Sequence, residues 1–188
     1  MYYNNKYKKC QELKNKQGSI VIIENLFKLL DIWNNKKKNI SKKAKVIFIK
    51  ERDIVFLNMG QNIGFEQDGK GDEFLRPVVV YKKFNNNLFL GIPLTSSLKE
   101  SRFYFNFEFN SKTDGLRKSS AILSQIKAVD TKRVKFKLGV INKFNFNELH
   151  LKLLDTTKPK DILTPHESEE SPEGICGNII PNNSGEVK

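Results

Sequence analysis

The chain has 188 residues, enough for one domain with a sizeable core plus extensions, and Lys and Arg outnumber Asp and Glu by 33 to 21, a formal charge of +12. That surplus attracts polyanions, so nucleic acid leads the partner classes, although codon usage in an AT-rich genome would produce the same Lys and Asn enrichment. Cys10 and Cys176 lie near opposite ends, no apolar core of a leader follows MYYNNKYKKC, and the run Ile20 to Ile23 is too short for a bilayer; disulfides, a cysteine metal site and membrane insertion are therefore not expected, and a cytoplasmic location is.

Residues 1–18 are Lys-, Asn- and Gln-rich without periodicity and read as a frayed arm. From Ser19, a candidate cap after Gly18, the apolar residues Ile22, Ile23, Leu26, Phe27, Leu30 and Trp33 recur at spacings of three and four. That spacing predicts an amphipathic helix, whose apolar face must be covered by the protein itself, a second protomer or a partner. Asn34 to Lys45 carries little apolar material and many lysines, and reads as a basic linker.

From Val46 the periodicity becomes that of strands, expected at Arg52–Asn58, Pro77–Lys83, Leu88–Leu94, Arg102–Phe109 and Ser120–Val129. In RFYFNFEFN the side chains alternate strictly, with Phe103, Phe105, Phe107 and Phe109 on one face; such a stripe is more often core than a stacking platform. Short strands with links such as Asn85-Asn86-Asn87 argue a small antiparallel barrel, in a mainly β fold with helices at both ends. Asn145–Asp155 reads as a short helix, and beyond Thr156 the chain is too poor in apolar residues to order itself. The expected organisation is thus an extension over 1–45, a barrel domain over 46–157 and a disordered tail over 158–188.

Three segments in order resemble the MazF/PemK family of toxin endoribonucleases. Asp53-Ile54-Val55-Phe56-Leu57-Asn58, then Gly64-Phe65-Glu66-Gln67 and Arg76-Pro77-Val78-Val79-Val80, resemble its opening strand, loop and the Arg-Pro that begins its second strand. Pro93-Leu94-Thr95-Ser96 is similar to its strand-end Thr/Ser pair, and Ser124-Gln125-Ile126-Lys127-Ala128-Val129-Asp130 with Arg133 to its Gln-Ile-Arg block. The resemblance implies an SH3-like β-barrel, a homodimer, an antitoxin partner and cleavage of single-stranded RNA at short motifs without metal or other cofactor. By the same carry-over Arg76 and Thr95 are catalytic, and Glu66, Gln67, Ser96, Gln125, Lys127 and Arg133 contact RNA.

The chemistry suits those residue types. Attack by a ribose 2′-OH passes through a dianionic phosphorane, which a guanidinium stabilises with two hydrogen bonds as charge develops. Pro77 biases Arg76 toward extended backbone, so its side chain projects from a defined strand start; Thr95 adds a neutral donor or acceptor. Ser124 stands where many members carry a carboxylate, which leaves the general base unassigned, and Lys127 replaces an Arg whose fork it cannot reproduce. The competing reading is therefore a catalytically inactive barrel that binds RNA or antitoxin. Asp68, Asp72 and Glu73 lack the spacing of a calcium loop, and His150 and His166 do not form a catalytic pair.

Overall fold

A computed structural model describes residues 16–44 and 47–159, which belong to one compact unit ending at Lys158 apart from the terminal Pro159. The arm before Lys16 and nearly all of the tail expected over 158–188 lie outside the described residues. The elements are α1 (Lys16–Ser41), β1 (Asp53–Asn58), β2 (Leu75–Lys83), β3 (Leu88–Thr95), β4 (Tyr104–Ser111), β5 (Gly115–Ile122), β6 (Lys127–Asp130), β7 (Val134–Val140) and α2 (Lys143–Thr157). All strand pairs are antiparallel, in the order β2-β1-β7-β4-β5-β3-β6, and an additional β2–β3 pairing closes the ring. The fold is the mainly β barrel expected, with a helix at each end.

Closure depends on one close approach. β4 meets β7 through the single pair Ser111↔Gly139, and a Cβ on Gly139 would lie 2.6 Å from the Asn110 carbonyl oxygen. Glycine is the residue that lets two backbones come so near. On the opposite side β3 is shared, pairing with β6 through Leu88–Gly91 and with β5 through Leu94 and Thr95. The run expected as one strand over Ser120–Val129 is therefore two, β5 and β6, separated by a 3-10 turn at Leu123–Gln125. The break lets the chain leave one end of β3 and pair again at the other. β7 was not among the expected strands, although Val134, Phe136, Leu138 and Val140 alternate with Lys135, Lys137 and Gly139.

The two faces of the strands bury separate apolar clusters. Ile54, Val79, Ile92, Leu94, Phe107, Phe109, Leu138 and Ile141 pack with Leu149 and Leu153 of α2, whereas Val55, Leu57, Val78, Val80, Phe89 and Val134 form the other cluster with Ile49 and Met59. In the phenylalanine stripe, Phe107 and Phe109 are core, Phe105 packs at its margin, and Phe103 is exposed. The Asn142 side chain caps α2 by accepting from the Asn145 backbone N–H at 2.7 Å.

At the N-terminal side, α1 starts no later than Lys16 and runs through the stretch expected as a linker to Ser41, so Ser19 lies inside the helix rather than capping it. Lysine is a good helix former, and tertiary contacts hold this half of the helix: Trp33 and Ile40, two turns apart, bury against Phe74. The Lys36 ammonium pairs with Glu73 at 2.6 Å.

Candidate active site

β1 and β2 are joined by a long loop, Met59 to Phe74, and its fold sets the position of Arg76. The loop returns on itself through the Gly69 N–H to the Gly60 carbonyl at 2.7 Å and the Met59 N–H to the Phe74 carbonyl at 2.8 Å. Phe74 takes φ 50°, unusual for an aromatic residue, and is buried under Trp33 with ring centroids 5.5 Å apart. Gly60 takes φ 97°, and a Cβ there would sit 2.2 Å from the Trp33 ring. The ring thus presses on both ends of the loop.

Two residues on, the Arg76 guanidinium is buried, donating from Nε to the Asp68 carbonyl at 2.5 Å and from Nη1 to the Leu94 carbonyl at 3.1 Å. Its place depends on the loop and on β3 together. Thr95 ends β3, and its Oγ1 accepts from the Ser97 N–H at 3.3 Å in a local turn. Arg76, Thr95 and Ser96 line one groove of about 320 Å³, with Phe56, Lys70, Arg117 and Ser119 among the other lining residues. Its lining cations are Lys70, Arg76 and Arg117, its hydroxyls are Thr95, Ser96 and Ser119, and among the described residues no carboxylate or imidazole lines it.

The remaining expected site residues do not share that groove. Glu66, Lys127 and Arg133 line a separate depression of about 670 Å³ between α1, the β1–β2 loop and β6, together with Trp33, Lys37 and Ile63. Arg133 stacks over Trp33, its guanidinium carbon 5.5 Å from the ring, and donates to the Met59 carbonyl at 3.3 Å. Burial pulls its pKa below the usual arginine value, with Asp130 opposing the shift. Gln125 joins the 3-10 turn to the loop, its Oε1 accepting from the Gln67 N–H at 3.2 Å and its Nε2 donating to the Phe65 carbonyl at 3.3 Å. Gln125 and the Gln67 backbone therefore fasten the loop to the barrel.

Sequence reasoning missed Phe56, Lys70, Arg117 and Ser119. The signal for Arg117 and Ser119 was period-two alternation, hidden because the strand was expected to begin only at Ser120; Lys70 and Phe56 depend on how the loop and β1 fold. His150, on α2, hydrogen-bonds the Tyr81 hydroxyl at 2.6 Å and is not among the groove's lining residues. Among the described residues no group of three potential metal-ligating side chains is gathered, and no helix is long and apolar enough to cross a membrane.

Residues 50–156 match the sequence family described as PemK-like, MazF-like toxin of type II toxin-antitoxin system. Among solved structures, the chain is similar to MazF from Deinococcus radiodurans at 21% identity, over 60% of this chain and 97% of that one, with a TM-score of 0.47. It is similar to the MazE-MazF structure of the same organism at 18% identity, over 60% and 96%, with a TM-score of 0.42. For the Mycobacterium tuberculosis toxin MazF-mt6 the values are 10% identity, 55% and 94%, and a TM-score of 0.41. No curated protein matches the chain.

Proposed function

The chain belongs to the PemK-like, MazF-like toxin family of type II toxin–antitoxin systems, and from that membership we propose that it is an endoribonuclease that cuts single-stranded RNA without a metal. The observation that carries this reading is the convergence of Arg76, Thr95 and Ser96 on one groove lined by cations and hydroxyls, within the family-matched segment. A phosphodiester offers only acceptor oxygens and a negative charge, which such a lining complements.

In the proposed reaction the ribose 2′-oxygen forms a bond to phosphorus, its proton passing to a base, while the bond from phosphorus to the 5′-oxygen breaks. The products are a 2′,3′-cyclic phosphate and a 5′-OH, the departing oxygen taking up a proton. Arg76 stabilises the charge on the phosphorane oxygens, and Thr95 orients the phosphate. Because no carboxylate or imidazole among the described residues lines the groove, electrostatic stabilisation by the protein's own cations is the larger contribution assigned to this site. Glu66, Gln67, Gln125, Lys127 and Arg133 extend the RNA contact along the loop and the second depression. We further propose a cytoplasmic homodimer inhibited by a cognate antitoxin that covers this surface, with the barrel folding as its own domain over 46–157.

The same absence of a lining carboxylate favours a second reading, a barrel that binds RNA without cutting it. Incubating the purified chain with a long single-stranded RNA in EDTA separates the two. Site-specific cuts ending in cyclic phosphate are expected; retention of uncut RNA supports the second reading, and loss of cutting in chelator with rescue by magnesium rules out the metal-independent mechanism.

A further inference from the structure

The wall of the Arg76 groove contributed by β5 has no assigned role. On that strand Arg117 and Ser119 line the groove, whereas the intervening Lys118 is exposed and pairs with Glu108 of β4 at 3.1 Å. Ser119 is 6% exposed, and its hydroxyl makes no hydrogen bond to any described residue. No fully buried side-chain polar atom among the described residues lacks a partner. The small part of Ser119 that solvent reaches therefore includes its oxygen, and the cavity it lines is the groove. A nearly buried hydroxyl without a partner among the described residues leaves room for one from a ligand.

Arg117 complements it at the mouth. Its side chain is 35% exposed and is tied to Asp114 at 3.1 Å across the β4–β5 turn, where Asp114 is itself 57% exposed. A solvent-screened pair of this kind is weak, and a phosphate competes with the carboxylate for the guanidinium fork. With Lys70 and Arg76, the described residues lining the groove include three cations and no anion.

We propose that Arg117 and Ser119 are substrate-contacting residues, gripping the phosphodiester backbone of single-stranded nucleic acid from the β5 wall. Ser119 donates to a phosphoryl oxygen within the groove, and Arg117 holds a phosphate at its mouth. This rests on the reading of the groove as an RNA site, but not on cleavage. The probe is a single-stranded DNA oligonucleotide of mixed sequence, which lacks the attacking 2′-OH, titrated with the full chain at low salt and followed by fluorescence anisotropy. Arg117→Ala should raise Kd about tenfold and Ser119→Ala severalfold, while Lys118→Ala, one residue away with the same charge, should change it less than twofold. Equal losses for Arg117→Ala and Lys118→Ala would reduce the effect to net charge and overturn the proposal, as would wild-type binding by Arg117→Ala. Melting curves that match the wild type confirm that each variant is folded. Because no cut is read, a chain that fails to cleave RNA sinks the nuclease reading and leaves this test standing.

Discussion

In the proposed reaction Arg76 serves structure and chemistry at once. Its hydrogen bonds to the Asp68 and Leu94 carbonyls tie the β1–β2 loop to β3, so removing the guanidinium leaves two carbonyls without that partner and, on the proposed reading, an uncompensated phosphorane. Arg76→Ala is expected to lower kcat roughly a hundredfold or more and to destabilise the fold by about 1–3 kcal/mol. Arg76→Lys keeps a charge but not the fork, so kcat should still fall steeply. Thr95→Ala, which removes a neutral group whose only described hydrogen bond is a local turn, should cost about tenfold to a hundredfold in kcat with little change in melting temperature. Rates and thermal unfolding measured on the same samples check these outcomes, and wild-type kcat in any variant removes that residue from the site.

Among the elements, α1 departs furthest from its sequence-based expectation. Of the residues expected to need cover, Trp33 is buried and Leu30 half-buried, but Leu26 and Phe27 are exposed, as are Leu29 and Ile32. The helix is anchored by its C-terminal half, where Trp33 presses on Gly60 and Phe74 and where Glu73 bridges Lys36 at 2.6 Å and Lys135 at 3.0 Å. Hydrogen bonds from those two ammonium groups hold the Glu73 carboxyl down to about 2, from an ordinary 4.5. A carboxylate whose pKa is depressed on folding contributes above its unfolded pKa and loses that contribution as pH falls through the folded one. The window is therefore about 4.5 down to about 2, and the size is small, on the order of 1 kcal/mol or less, because the pair is solvent-screened. The protection factors of the α1 amides, which divide out the intrinsic pH dependence of exchange, should fall as pH drops through that window in the wild type. In Glu73→Gln they should be lower at neutral pH and less pH-dependent. Parallel profiles in the two proteins would remove Glu73 from the anchoring of the helix.

For the molecule as a whole, the surplus of positive charge is spread over the barrel, the β1–β2 loop and α1. Lys82 and Lys83 lie on β2, Lys127 on β6, Arg133 beside Trp33, and Lys70, Arg76 and Arg117 in the groove. Binding of single-stranded RNA should therefore weaken steeply as salt rises, log K falling by about 0.7 per neutralised phosphate for each unit of log salt concentration. Filter binding at several salt concentrations measures that slope. A flat response would point away from nucleic acid and toward a protein target.

The barrel class and the α2 helix were legible in the sequence, because period-two alternation and an uncovered apolar face are local consequences of burial. Arg76, Thr95 and Ser96 stand out in the sequence through an ordered resemblance within the segment that matches the family, and the structure brings the three to one groove. Closure of the ring was not legible: it depends on Gly139 meeting Asn110 and on β3 pairing with three other strands. Nor was the division of the expected site residues between two depressions, since Glu66, Lys127 and Arg133 are carried by the loop, β6 and the turn before β7, and α1 supplies the facing wall. The Lys-rich stretch looked like a linker because its apolar residues are sparse. It is helical because Trp33 and Ile40 find Phe74, and Lys36 finds Glu73, contacts more than thirty residues apart that no local pattern encodes.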